Sequence, residues 1–271
     1  MNTLQNLHQH STFCDGNNTP EEVVLTAIEK GFGGIGFSSH CYMEYAKRYC
    51  MPIEKEPEYK QEINRLKAKY GDQIDVFLGL EYDLCCPYQP EGYDYLIGSI
   101  HGLRFDGVDY EFDGIAEHYK TMIDEHFGGD GLAFAKEYYR QITWLPDFAP
   151  VDILGHFDMC TKHRNFVNFF DSECKEYKNA ALEAVEALAG RVKLFEVNTG
   201  AIARGLRNTP YPAPFIIKEM REKGFGVVIS SDCHYAEKMD CYFNEAAELL
   251  KSCGYKEKHI LTKDGFIPVP L

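Results

Sequence analysis

The sequence is short of positive charge. Its 271 residues hold 28 Lys and Arg against 42 Asp and Glu, a formal net charge of −14. Such a chain is a poor nucleic-acid carrier, because phosphate backbones are gripped by Lys and Arg. It also lacks an apolar run long enough to span a bilayer, so no membrane partner is expected. The first residues, Met1-Asn2-Thr3-Leu4-Gln5-Asn6, have neither a basic stretch nor an apolar core, and no signal peptide or anchor is expected there. None of the ten cysteines forms a C-x-x-C pair, which favours reduced thiols in a cytoplasmic protein over a disulfide framework. Biased tracts, internal repeats and linkers are missing too. With 45% hydrophobic and 26% charged residues, the composition excludes disordered and fibrous architectures. One domain over residues 1–271 is expected, with a helical insertion around 103–150.

What is present is an alternation of apolar strands with amphipathic helices. A strand at 3–10 is followed by a turn at 14–18 and a helix with strong start signals. Thr19 suits the N-cap, Pro20 the first helical position, and Glu22 completes a capping box, with Gly31 as the stop. Further strands are expected at 33–39, 74–80, 93–100, 151–155, 193–197 and 226–230, with a short last one at 259–261. Helices are expected at 57–70, 118–127, 132–145, 172–188, 214–223 and 244–252. About seven buried strands, mostly separated by helices, predict a parallel α/β architecture, either a closed barrel or a doubly wound sheet. In both, ligands sit beyond the carboxyl ends of the strands.

Those ends share a chemistry. They read His8-Gln9-His10, Ser38-Ser39-His40, Gly79-Leu80-Glu81, Ser99-Ile100-His101, Gly155-His156-Phe157-Asp158, Glu196-Val197-Asn198 and Ser230-Ser231-Asp232-Cys233-His234. Residues i and i+2 of a strand point the same way, so His8 with His10, and Asp232 with His234, each aim two donors at one point. Imidazole and carboxylate are ligands for Zn, Mn or Fe, and a glutamate can bridge two ions. A lone strand histidine is usually a core residue. Six of the ten histidines at strand ends, with two carboxylates, are not explained by packing. With Asp15 from the loop after the first strand, the candidate ligands are His8, His10, Asp15, His40, Glu81, His101, His156, Asp232 and His234. Nine donors suit a centre of two to three divalent ions.

Other residues near strand ends carry weaker readings. Arg164 and Arg204 offer planar forks for a phosphate, with Lys162 and Arg207 behind them. Glu196 and Asn198 face one way and would orient substrate or serve structure. Cys14, Cys41, Cys160 and Cys233 read as small packing residues, and His118, His126, His163 and His259 as surface residues.

The ordered set His-x-His, Ser-Ser-His, Gly-Leu-Glu, Ser-Ile-His, Gly-His-Phe-Asp and Ser-Asp-x-His resembles the PHP (polymerase and histidinol phosphatase) superfamily, in its histidinol-phosphatase branch. The resemblance runs from His8 to His234. It implies a distorted (β/α)7 barrel, similar to a TIM barrel, with a trinuclear metal site at the C-terminal ends of the strands. His8, His10, Glu81 and Asp232 would hold one ion, and Glu81 would bridge to a second, shared with His101 and His156. Asp15, His40 and His234 would hold the third. Many members have histidine where Asp15 stands, so this chain keeps a ligand there but adds negative charge. Glu81, Asp232 and His234 are the catalytic candidates, and the resemblance favours substrate binding over a solvated loop charge for Arg164 and Arg204.

The implied reaction is hydrolysis of L-histidinol phosphate, a step of histidine biosynthesis, by a hydroxide bridging the ions and without a nucleophilic side chain. Two other readings stand beside it. A PHP phosphoesterase for a nucleotide or another small phosphate ester fits the same ligands, although an exonuclease would need a basic groove. A non-catalytic, metal-stabilised binding module would be expected to show a degenerate ligand set, and this one is complete.

Overall fold

A proline preceded by threonine starts the first helix as the sequence predicts. Thr19 caps α1 (Pro20–Glu29): its hydroxyl accepts from the Glu22 amide, and the Glu22 carboxylate accepts from the Thr19 amide at 2.7 Å. Gly31, at φ +75°, turns the chain out of the helix. Val23, Val24 and Ala27 of α1 are wholly buried. The apolar face they form pins the helix against the strand that follows.

The computed structural model describes residues 2–271. Its strands are β1 (Gln5–Asn6), β2 (Gly34–His40), β3 (Asp75–Asp83), β4 (Tyr95–Ser99), β5 (Gly102–Phe105), β6 (Val108–Glu111), β7 (Ile153–Leu154), β8 (Leu194–Asn198), β9 (Gly226–Ser230), β10 (Glu257–Thr262) and β11 (Gly265–Pro270). Besides α1, the α-helices are α2 (Glu56–Tyr70), α3 (Ala116–Phe127), α4 (Gly131–Ile142), α5 (Leu145–Phe148), α6 (Lys175–Leu188), α7 (Gly200–Ala203), α8 (Pro214–Glu222) and α9 (Phe243–Ser252). Seven strands pair in parallel in the order β1-β2-β3-β4-β7-β8-β9. The sheet closes on itself where Gln9 bridges Cys233 in parallel: the His10 amide donates to Cys233 O (2.9 Å) and the Cys233 amide to His8 O (3.1 Å). The result is the seven-stranded α/β barrel.

Two strands are shorter than the apolar runs suggest. The ladder of β1 covers Gln5–Asn6 alone, because the Asn6 side chain takes over the bonding. Its Oδ1 accepts from the amides of His8 and Ser231, both at 3.2 Å, and its Nδ2 donates to Ser231 Oγ at 2.9 Å. This stitches β1 toward β9 before the backbone bridge forms. β7 likewise pairs over two residues only.

Inside the barrel, Leu7, Phe77, Tyr95, Ile97, Ile153, Leu194, Val228 and Leu261 form a core distinct from the larger one between sheet and helices. Tyr95 lies across it and donates to Leu7 O. A Cβ on Gly79 would fall 2.2 Å from Tyr95 Cζ, so glycine is what admits the ring. The amino-terminal end is plugged by an antiparallel β10–β11 hairpin where the sequence suggested one short strand. Gln5 holds it, its side chain accepting from Leu261 N (2.7 Å) and donating to Leu261 O (2.9 Å).

Residues between β4 and β7 depart from the barrel rhythm. The helices expected there are α3 and α4, but a β5–β6 hairpin precedes them. Gln141 of α4 clamps it by accepting from Arg104 N and donating to Arg104 O, both at 2.9 Å. All ten cysteines are free thiols. Among the described residues, no helix is long and apolar enough to cross a membrane.

Candidate metal centre

Parallel pairing sets Glu81 directly beside His40, as Cα partners of β3 and β2. Glu81 is buried at the centre of the carboxyl end, and its two oxygens face different partners. Oε2 lies 2.8 Å from His40 Nδ1, 3.3 Å from His8 Nε2 and 3.6 Å from His10 Nε2. Oε1 lies 2.9 Å from His156 Nε2 and 3.5 Å from His101 Nε2. A carboxylate divided between two donor sets is the arrangement a bridging ligand requires.

The remaining donors close round it. Asp232 Oδ1 stands 3.2 Å from His10 Nε2 and 3.8 Å from His8 Nε2. Asp232 adopts φ +47°, a conformation that costs a non-glycine residue about 1 kcal/mol or more and that clusters at functional sites. At the rim, Asp15 Oδ2 meets His234 Nε2 at 3.2 Å, and Asp15 Oδ1 is 3.8 Å from both His10 Nδ1 and His40 Nε2. The rim is more open: the Asp15 and His234 side chains are 32% and 20% exposed, against 1% for Glu81.

All nine sequence-predicted donors therefore meet. They fall into four overlapping groups whose ligand atoms lie within 4.8 Å of one another: His8, His10 and Asp232; His8, Glu81 and His156; His40, Glu81 and His101; and His10, Asp15, His40 and His234. The fit to divalent cations can be judged from unsatisfied atoms. His8 Nε2, His10 Nε2, His40 Nδ1, Glu81 Oε2 and Asp15 Oδ1 are buried without a hydrogen-bond partner. Each such atom costs about 1–3 kcal/mol. Lone pairs converging in this way suit cations better than protein partners, and the donor set fits them.

Electrostatics support the same reading. Burial pushes the Glu81 carboxyl up, but the imidazoles of His40, His8 and His101 outweigh it and hold Glu81 well below the usual range. Burial likewise opposes Asp232, which the Arg204 charge and then His8 keep ionised. Burial, with His234 and His40 nearby, pushes His10 down to about 3, leaving a neutral imidazole with a free lone pair. His101 goes the other way: burial lowers it, yet Glu81 and Asp83 raise it to about 9. Metal-free, the carboxylates are neutralised by protonated imidazoles, and cations would displace those protons.

Two carboxylates orient the ligands from behind. Glu196, fully buried, takes His8 Nδ1 at 2.9 Å, the His156 amide at 2.8 Å, Asn198 Nδ2 at 2.8 Å and the Ser230 hydroxyl. Asp83 takes His101 Nδ1 at 3.0 Å and the His101 amide at 2.7 Å. A ring fixed at one nitrogen presents the other nitrogen's lone pair to the centre. From sequence alone Glu196 reads as either substrate-orienting or structural, and Asp83 carries no reading. The available signal was position i+2 from a ligand, which Asp83 occupies relative to Glu81.

The basic candidates separate. Arg204 sits at the centre's edge, donating to Asp232 Oδ2 and Asp232 O, both at 3.0 Å, with 33% of its side chain exposed. Arg164 donates to Thr209 Oγ1 at 3.0 Å and has no hydrogen bond or ion pair to any of the nine donors among the described residues. Lys162 pairs with Asp113 at 2.6 Å, and Arg207 is buried beside Asp158 at 3.5 Å. The surface reading of His163 is corrected: it is buried, its Nε2 lies 2.8 Å from Gly114 O, and its ring packs edge-on against Tyr119. Burial pushes the Cys14 and Cys233 thiols up to about 12, so both stay protonated packing groups.

Comparison with known proteins gives the same frame. A Deinococcus radiodurans protein named "Probable histidinol-phosphatase" is 27% identical over 270 residues, covering 94% of this chain and 95% of its own. The histidinol-phosphatase of Lactococcus lactis is 25% identical over 264 residues, covering 92% and 91%. A crystal structure of histidinol phosphate phosphatase from Lactococcus lactis, complexed with zinc, L-histidinol and phosphate, superposes with a TM-score of 0.74 at 22% identity, over 97% of this chain and 98% of that one. At that identity the likeness speaks for the fold. The PHP domain model itself matches residues 6–200, most of the chain and seven of the nine donors, with Asp232 and His234 beyond the matched segment. By that match, the chain belongs to the PHP domain family.

Proposed function

We propose that this protein is a divalent-metal-dependent phosphomonoesterase that hydrolyses L-histidinol phosphate to L-histidinol and phosphate, a step of histidine biosynthesis. The observation that carries the reading is the convergence of nine donors with buried, unsatisfied ring nitrogens and carboxylate oxygens. Two relatives named histidinol-phosphatase, and the zinc, L-histidinol and phosphate in the Lactococcus lactis structure, support the substrate.

In this reading His8, His10, Glu81 and Asp232 hold one ion, Glu81, His101 and His156 a second, and Asp15, His40 and His234 a third, each Zn, Mn or Fe. When bound, such ions make a water nucleophilic near neutral pH and neutralise phosphoryl oxygens. The protein's residues prepare that chemistry. Glu196 and Asp83 fix the His8 and His101 rings, and His10 stays neutral. Arg204 steadies Asp232 and keeps exposed donor surface for a phosphoryl oxygen, with Arg164 as the second grip. Glu81, Asp232 and His234 surround the reacting group. The chain's acidic character suits the substrate's ammonium group.

The test is phosphate release by metal-loaded protein from L-histidinol phosphate, alongside nucleotides and generic phosphomonoesters. Histidinol phosphate should be strongly preferred, with activity lost to a chelator and restored by metal. Faster turnover of another ester would reject the substrate and keep the metal phosphoesterase. Bound metal with no turnover of any ester would reject the enzyme.

A further inference from the structure

Arg207 is 1% exposed, among the largest fully buried side chains of the molecule, yet it touches no donor of the metal centre. Buried arginine is costly unless its N–H groups are satisfied. Here they are spent on two loops. Nη1 donates to the Thr161 hydroxyl and Nη2 faces Asp158 Oδ2 at 3.5 Å, both in the segment after β7. Nε donates to Thr209 O at 3.2 Å and Nη2 to Pro210 O at 3.3 Å, both after α7. The Tyr211 ring covers the guanidinium at 4.1 Å. Asp158 is itself fully buried and accepts the Ala213 amide at 3.1 Å, and Thr161 donates back to Asp158 O at 2.7 Å.

These are the loops that carry Arg164 and Arg204. The connection to Arg164 is direct: its Nη2 donates to the hydroxyl of Thr209, whose carbonyl Arg207 holds. On the other side, the Arg207 amide donates to Ala201 O at 3.2 Å, closing the α7 turn on which Arg204 stands. Tyr211 pairs with Asn198 at the end of β8 through two backbone bonds of 2.9 Å, so the strut is anchored to the barrel.

We propose that Arg207, through Thr209, is a positioning residue for phosphate recognition, holding Arg164 in a fixed orientation before substrate arrives. This rests on the assignment of Arg164 to the phosphoryl group. Preorganising a charged donor lowers the ordering cost of binding, so the effect belongs in phosphate affinity.

The test is calorimetric titration of metal-loaded protein with inorganic phosphate and, separately, L-histidinol, for Arg164→Ala, Thr209→Val, their double variant and Arg207→Met. Thr209 is half-buried and valine keeps its shape, so this variant removes the hydroxyl and little else. Arg164→Ala and Thr209→Val should each weaken phosphate roughly 10-fold, with L-histidinol affinity and metal content unchanged, and the double variant should be no worse than Arg164→Ala. Arg207→Met, where it folds, should weaken phosphate like Thr209→Val. Wild-type phosphate affinity in Thr209→Val beside a weakened Arg164→Ala would overturn the strut alone, as would multiplying effects in the double variant. Wild-type phosphate affinity in Arg164→Ala would overturn the assignment of Arg164, and the strut with it.

Discussion

Glu81→Ala should lower turnover by about a thousandfold or more while leaving the barrel folded. The size follows from what the residue does: both of its oxygens serve, one toward His8, His10 and His40 and the other toward His101 and His156. Losing a shared ligand withdraws several kcal/mol of charge stabilisation from the phosphoryl group, and about 1.4 kcal/mol is tenfold in rate. Metal content measured on the same preparation should fall with activity. Thermal unfolding gives an independent readout, because a ligand that binds only the folded state stabilises it. A chelator should lower the melting temperature of the wild type and lower that of Glu81→Ala by less. A variant with full metal content and normal turnover would refute the bridging role.

Glu196→Gln should weaken metal binding by roughly 10–100-fold without touching a ligand. The carboxylate accepts from His8 Nδ1, the His156 amide, Asn198 Nδ2 and the Ser230 hydroxyl, all of them donors. An amide of the same shape must turn its NH2 toward some of these, opposing donor to donor. The buried mismatch costs about 1–3 kcal/mol of stability and frees His8 to take the other tautomer. Competition with a metal indicator dye would measure the affinity, and chemical denaturation the stability. Unchanged metal affinity would mean that Glu196 serves the barrel wall alone.

The strand-end donors could be read from the sequence because each marks the point where a buried apolar run stops. Parallel pairing then brings all those points to one end. The helix starting at Thr19 could be read because its cap is local, within four residues. What escaped depends on distant partners. Asn6 shortens β1 by bonding Ser231, 225 residues away, and Gln5 holds the β10–β11 hairpin through Leu261, 256 residues away. No periodicity in residues 102–111 separates the β5–β6 hairpin from a loop. His163 looked like a loop histidine, and its burial comes from Gly114 and Tyr119 of the segment between β4 and β7. Glu196 and Asp83 differ from ligands only in the depth at which their carboxylates lie, a distinction the alternation of a strand does not encode.

The closure of the barrel has a consequence for its motions. His8 and His10 stand on one lip of the seam, Asp232 and His234 on the other, and two backbone bonds join the lips at His10 and Cys233. An ion gripped from both lips binds only the shut form, so each tenfold excess of free metal over its Kd disfavours local opening by about another 1.4 kcal/mol. Amide hydrogen exchange at His10 and Cys233 should therefore slow on metal loading. Exchange at Leu96 of β4, farthest from the seam in strand order, should hold steady. The centre would then act as a clasp, with metal supply deciding how often the barrel breathes.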